Sequence, residues 1–124
     1  MAKHNDIGKW GEQVAVDKLV AEGCAIVERN WTSGKYEIDI IAQNDGEIVF
    51  CEVKTRANND SEDPYEAFDR KKMTRMLRAA NHYIDSNEVD LEPRFDFFAV
   101  TGTQASFDVI HHRDIQMPVL KNIR

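Results

Sequence analysis

Along the first part of the chain, Gly8, Glu12, Ala15 and Leu19 recur at the i, i+4, i+7, i+11 spacing of one helix face. Asn5 or Asp6 stands where a cap belongs, and Gly23 predicts the stop of this helix after about Glu22. Gly8 and Gly11 each cost up to about 1 kcal/mol against alanine inside a helix, so their presence there points to close packing. The period then shortens to two. A strand is expected from about Ala25 to Trp31, a turn at Ser33-Gly34, and two further strands around Asn44-Asp45-Gly46. Helical spacing returns from about Pro64 to Ser86, with Met73, Met76, Leu77, Ala80, Tyr83 and Ile84 on one face and Lys71, Arg75, Arg78 and His82 opposite. Arg94 to Val100 and Ala105 to Ile110 read as a last hairpin closed near Gly102, ahead of an irregular tail containing Pro118. The expected order is α-β-β-β-α-β-β, an α/β sandwich with a central mixed sheet, in a single domain over residues 1–124.

Asp45-Gly46 is a two-residue hairpin signal of type I′, which makes Asn44 and Glu47 the closing pair. Counting back from it sets Ala42 opposite Val49, Ile40 opposite Cys51 and Ile38 opposite Val53, all apolar and all on one side. On the other side Ile41 faces Phe50, Asp39 faces Glu52 and Glu37 faces Lys54. The polar residues are thereby gathered into one cross-strand cluster.

Composition narrows what that cluster can serve. Hydrophobic residues at 42% and charged residues at 31% fit a soluble globular protein, and no apolar run approaches the ~20 residues of a membrane span. The amino terminus is polar and has no apolar leader, so the cytoplasm is the expected location. Cys24 and Cys51 sit among apolar residues without a CxxC partner, where a thiol packs as a small hydrophobe. A net charge of -6 argues against a protein that coats nucleic acid nonspecifically, because that binding is mostly phosphate neutralisation. The charge is also polarised. Asp60, Glu62, Asp63, Glu66 and Asp69 form an acidic stretch, followed at once by Arg70, Lys71, Lys72, Arg75 and Arg78.

Two carboxylates opposite one another on neighbouring strands repel, and burial makes that worse, so Asp39 and Glu52 call for a cation. Hard oxygen ligands suit Mg²⁺ or Mn²⁺, which takes one or two carboxylates and completes its shell with water and substrate phosphate. Lys54 lies two residues beyond Glu52 on the same face, about 7 Å along the strand. An ammonium there can orient or deprotonate a water, or stabilise charge in a phosphoryl-transfer transition state. Against this stands the plainer reading of Glu-x-Lys as a solvated face with a weak ion pair. The conjunction with Asp39, the apolar Ile41 and Phe50 and the basic helix tips the balance toward a metal-dependent nuclease site.

The segments Gly11-Glu12, Glu28-Arg29-Asn30-Trp31, Glu37-Ile38-Asp39-Ile40-Ile41-Ala42 and Val49-Phe50-Cys51-Glu52-Val53-Lys54-Thr55-Arg56 resemble the YraN-like family of small bacterial predicted endonucleases. The resemblance continues through Lys72 and Ala79-Ala80 to Phe95-Asp96, nearly the whole chain. It implies a restriction-endonuclease-like fold within the PD-(D/E)xK superfamily, which includes archaeal Holliday-junction resolvases. By the same resemblance, Glu12 is the acidic residue of the first helix and a metal ligand with Asp39 and Glu52, and Lys54 is the catalytic lysine. Tyr36 stands where the family usually has Gly, and Thr32 where it usually has Arg.

Other residues carry weaker expectations. Lys71, Lys72, Arg75 and Arg78 are candidate contacts to nucleic acid, Trp31 is a core aromatic before it is a base platform, and His111 and His112 point to opposite faces as surface residues. Asp96 is expected to bond backbone or arginine. The leading expectation is an endonuclease acting on branched, flapped or single-stranded DNA, as a homodimer or with a protein partner. The alternatives are an inactive nucleic-acid-binding module of the same fold, and an adaptor that docks proteins through the acidic loop from Asn58 to Asp69.

Overall fold

The computed structural model describes residues 2–57 and 63–120, with side chains from Gly8 onward. The elements follow the order α1 (Ala2–Ala21), β1 (Ala25–Ser33), β2 (Tyr36–Asn44), β3 (Glu47–Arg56), α2 (Arg70–Ser86), β4 (Glu92–Thr103) and β5 (Ser106–His112). The five strands form one sheet in sequential order. All neighbours are antiparallel except β3 and β4, whose parallel pairing is bridged by α2, so the sheet is mixed as expected.

A helix lies on each face. Ala15, Val16 and Leu19 of α1 pack with Ile40, Ala42, Val49, Cys51 and Phe98. Met76, Ala79, Ala80 and Tyr83 of α2 pack with Ile41, Phe50, Phe95 and Phe97. The hairpin register is the one counted from the turn: Asn44 pairs with Glu47, Ala42 with Val49 and Ile40 with Cys51. Asp45 and Gly46 have φ of 45° and 84°, the two left-handed residues that a type I′ turn requires.

Three boundaries differ from expectation. Helix α1 is already helical from Ala2, so neither Asn5 nor Asp6 caps it. Its end is as expected: Gly23 at φ 98° lets Cys24 N–H reach the Leu19 carbonyl at 3.0 Å. Helix α2 starts at Arg70, not Pro64, because Asp69 is extended and its carboxylate accepts the Lys72 N–H at 2.9 Å. Pro64 instead opens a run of tight turns that buries Phe68 against Phe97. The last hairpin reverses at Gln104-Ala105 rather than at Gly102.

Candidate functional site

The site lies where β2 and β3 stop behaving as a regular pair. Their ladder ends at Ile40 and Cys51, so no backbone pairing sets Asp39 against Glu52 or Glu37 against Lys54. In its place an Asp39 carboxylate oxygen accepts the Val53 N–H at 2.8 Å, a side chain standing in for a strand. The neighbouring strand is irregular at the same level, since Asn30 of β1 is left-handed at φ 51°. On one side of that point Arg29 donates to Gln13 of α1 at 3.0 Å. On the other, Trp31 and its strand partner Ile38 pack into the α2 cluster. The pleat therefore changes faces at Asn30 and Asp39. Ile38, expected beside Ile40 and Val53, packs under α2 for this reason.

Helix α1 reaches the site through a glycine. A Cβ on Gly11 would overlap the Thr55 hydroxyl, so only glycine lets α1 come this close to β3, one residue past Lys54. That approach sets the half-buried Glu12 near enough to Asp39 for its charge to raise the Asp39 proton affinity.

Glu52 and Asp39 are both partly buried. Burial, then the charges of Glu12 and Glu37, push Asp39 up to about 6 against the relief of the Val53 N–H and Lys54. Burial and the charges of Asp39 and Glu37 push Glu52 up to about 8 against Lys54 and Lys72. The two carboxyls behave as one strongly interacting pair, short of positive charge at neutral pH.

A cleft of about 260 Å³ opens beside the pair, lined by Glu37, Glu52 and Lys54, by Pro64, Ala67, Phe68, Met76 and Phe97, and by the cations Lys35, Lys72 and Arg75 with Tyr36. Of the four basic residues singled out on α2, Lys72 and Arg75 line this cleft, whereas Lys71 and Arg78 do not. His82, expected on the same exposed stripe, turns inward to meet Ser33 Oγ at 3.0 Å. Lys35 was not anticipated, although its place in the turn between β1 and β2, two residues before Glu37, was a usable signal.

The donor chemistry fits a hard divalent ion. Two carboxyls whose proton affinity burial and neighbouring acids raise are groups that such a cation would hold in the ionised form, and Mg²⁺ or Mn²⁺ needs few protein ligands. Among the described residues no three His, Cys, Asp or Glu side chains converge closely enough to hold an ion, so Glu12 makes no preformed triad with Asp39 and Glu52.

The other charged cluster is structural. Asp96, fully buried, accepts two hydrogen bonds from Arg94 at 2.9 and 3.0 Å and one from the Asp114 N–H, and pairs with His111 at 2.7 Å. Arg94 also binds Glu47, and His111 approaches Glu22 at the end of α1. His112 stacks on Tyr65 at 3.8 Å. The two histidines do point to opposite faces, but both are packed rather than left on the surface. Of the acidic loop, Asp60 and Glu62 lie outside the described residues, while Asp63 and Asp69 accept local backbone N–H groups.

Fold and site together define an α/β protein with one helix on each face of a mixed five-stranded sheet, and a carboxylate and lysine cleft where that sheet splits. The chain belongs to uncharacterised protein family UPF0102, whose model matches residues 11–111. It is 44% identical over 114 residues to the UPF0102 protein FP2501 of Flavobacterium psychrophilum, covering 92% of this chain and 96% of that one. It is 41% identical to a UPF0102 protein of Bacteroides thetaiotaomicron, covering 97% and 99%. A calcium-bound SfsA structure from Pyrococcus furiosus aligns at 14% identity and a TM-score of 0.38, over 94% of this chain and 65% of that one, too distant to carry an argument. Among the described residues no helix is long and apolar enough to cross a membrane.

Proposed function

We propose that the protein is a metal-dependent endonuclease of restriction-endonuclease-like fold that hydrolyses phosphodiester bonds in branched, flapped or single-stranded DNA in the cytoplasm. One observation carries this reading. Asp39 and Glu52 are both pushed above the ordinary carboxylate range and interact with each other and with Lys54, and Glu52 and Lys54 line a cleft with further cations on its rim. Asp39 and Glu52 would hold Mg²⁺ or Mn²⁺, with Glu12 near enough to add charge. Held there, such an ion would supply Lewis acidity toward a phosphate oxygen or water. Lys54 orients the attacking water or offsets charge that develops on the scissile phosphate, while Lys72 and Arg75 hold the flanking phosphates. A net charge of -6 leaves little nonspecific grip, which favours substrates recognised by shape or delivered by a partner.

The test has two arms. Mg²⁺ and Mn²⁺ are titrated into the parent and Asp39→Ala while thermal unfolding is followed, then both proteins are offered branched, flapped and single-stranded DNA. The expected result is metal stabilisation and cleavage by the parent alone. Absence of both in the parent would overturn the reading. The lack of a three-ligand convergence among the described residues favours one alternative, a binding module of the same fold that holds DNA without cutting it. That protein would bind equally well with and without Mg²⁺.

A further inference from the structure

We propose that Tyr36 is a stacking seat for an unpaired nucleobase, which makes single-stranded DNA the preferred occupant of the cleft. The inference rests on the nuclease-site reading only for the placement of the phosphates. Tyr36 opens β2 immediately after the β1–β2 turn, lines the cleft and is half-buried. Its ring leans on His82 at 5.2 Å and 31°, and Ser33 Oγ holds the far side of that imidazole at 3.0 Å. Trp31 stands behind His82 at 6.1 Å and meets the buried Tyr83 edge-on at 5.2 Å, so the row of rings is anchored in the α2 core. A ring supported from behind in this way loses little freedom when a base stacks on it.

Charge and size choose the ligand. Lys35 Nζ lies over the Tyr36 ring, 5.9 Å from its centre, as an exposed side chain that a stacking base would displace, and Lys54, Lys72 and Arg75 line the same cleft, so cations surround the ring. That combination suits a base with phosphates on either side, as in single-strand grooves. An open cleft of about 260 Å³ can take part of one nucleotide unit, such as a single base, against its wall. In a duplex the π-face that Tyr36 would need is covered by the neighbouring base pair. Because the protein is acidic overall, an uncharged stacking contact also adds affinity that phosphate neutralisation cannot.

The experiment measures anisotropy of a labelled short single strand and of a hairpin duplex of the same sequence, in EDTA so that nothing is cut. The parent is expected to prefer the single strand. Tyr36→Leu, which keeps apolar volume and loses the ring, should weaken single-strand binding roughly five- to a hundred-fold and narrow the preference over duplex, while Tyr36→Phe retains both. The salt dependence separates stacking from charge: Tyr36→Leu should leave the slope of log K against log salt unchanged, and Arg75→Ala should flatten it. The proposal is overturned if the parent binds the single strand no better than the duplex, if Tyr36→Leu binds like the parent, or if it loses both ligands alike. Cleavage with Mg²⁺ or Mn²⁺ is read separately. Tyr36-dependent binding without cleavage removes the nuclease reading and keeps the seat; cleavage with Tyr36-independent binding does the reverse.

Discussion

Asp96 and the Asp39–Glu52 pair are the two places where this sheet takes carboxylates out of water, and they resolve the cost in opposite ways. Asp96 is fully buried, which by itself would raise its proton affinity, yet bonds from His111, Arg94 and the Asp114 N–H hold it down near 2. Asp39 and Glu52 rise to about 6 and about 8, first because burial penalises their charge and then because both face other acids, with one backbone donor on Asp39 in partial relief. Burial raises the proton affinity of all three carboxyls, and the supply of donors sets Asp96 apart from the other two. The Asp96 cluster is closed, with its charge answered by the protein itself. The Asp39 cluster is open, with Lys54 and Lys72 only partly answering its charge, and this is where the proposed cation would act.

The contrast is broken most directly at Arg94. Arg94→Met keeps much of the volume but leaves Asp96 with His111 and one backbone donor, and is expected to cost about 3 kcal/mol or more in urea unfolding at neutral pH. A loss below about 1 kcal/mol would mean that His111 and Asp114 suffice and that the cluster is not the closed unit described. Glu52→Gln should do the opposite. It removes a charge that Lys54 and Lys72 only partly offset, so the metal-free protein at pH 9 is expected to gain on the order of a few kcal/mol, from the raised value of about 8. The same variant should no longer be stabilised by Mg²⁺, and destabilisation at pH 9 would show that Glu52 is satisfied after all.

The pH dependence sharpens the comparison because the two signs differ. Asp39 and Glu52 are raised in the folded state, so their contribution is present below the unfolded values of 3.8 and 4.5 and is lost as pH rises through about 6 and then about 8. Asp96 is lowered, so its contribution is present above 3.8 and is lost as pH falls through about 2. From these three groups metal-free protein should be most stable near pH 4, with a limb falling toward alkaline pH that Glu52→Gln flattens and an acid limb that it leaves alone. Saturating Mg²⁺ should flatten the alkaline limb of the parent, since an ion bound to the carboxylates competes with their protons. Urea midpoints across pH, with and without the ion, decide this.

The open cluster was more legible in the sequence than the closed one. Asp45-Gly46 and the two-residue period fixed the pairing of Ala42 with Val49 and Ile40 with Cys51, and with it the face shared by Phe50, Glu52 and Lys54. Counting failed one residue further on, at Ile38, because it assumes an unbroken pleat. The left-handed Asn30 and the Asp39 bond to Val53 break that pleat, and neither declares itself in a hydropathy pattern. The start of α2 was misplaced because Pro64 is as good a helix opener as Asp69 is a cap, and only the burial of Phe68 decides between them. Of the closed cluster, the bonding of Asp96 to arginine and backbone was expected and is found, but not its particular partners. Arg94, Asp96 and His111 meet across two strands, and Glu22 and Glu47 reach them from other elements, so no local spacing announced them.

The smallest effect tests how far the open cluster extends. Glu12 reaches Asp39 only through its charge and makes no ligand triad with Glu52, so Glu12→Gln should change metal-free stability at neutral pH by only a few tenths of a kcal/mol, in the stabilising direction. The Asp39 titration should move to lower pH, which ¹³C carboxyl NMR would follow directly. If Glu12→Gln instead abolishes Mg²⁺ stabilisation as fully as Asp39→Ala does, then Glu12 swings in to bind the ion, and the cluster closes on its metal with three carboxylates rather than two. An Asp39 titration indifferent to Glu12→Gln would confine the open cluster to β2 and β3, leaving α1 tied to the site through packing such as the contact between Gly11 and Thr55.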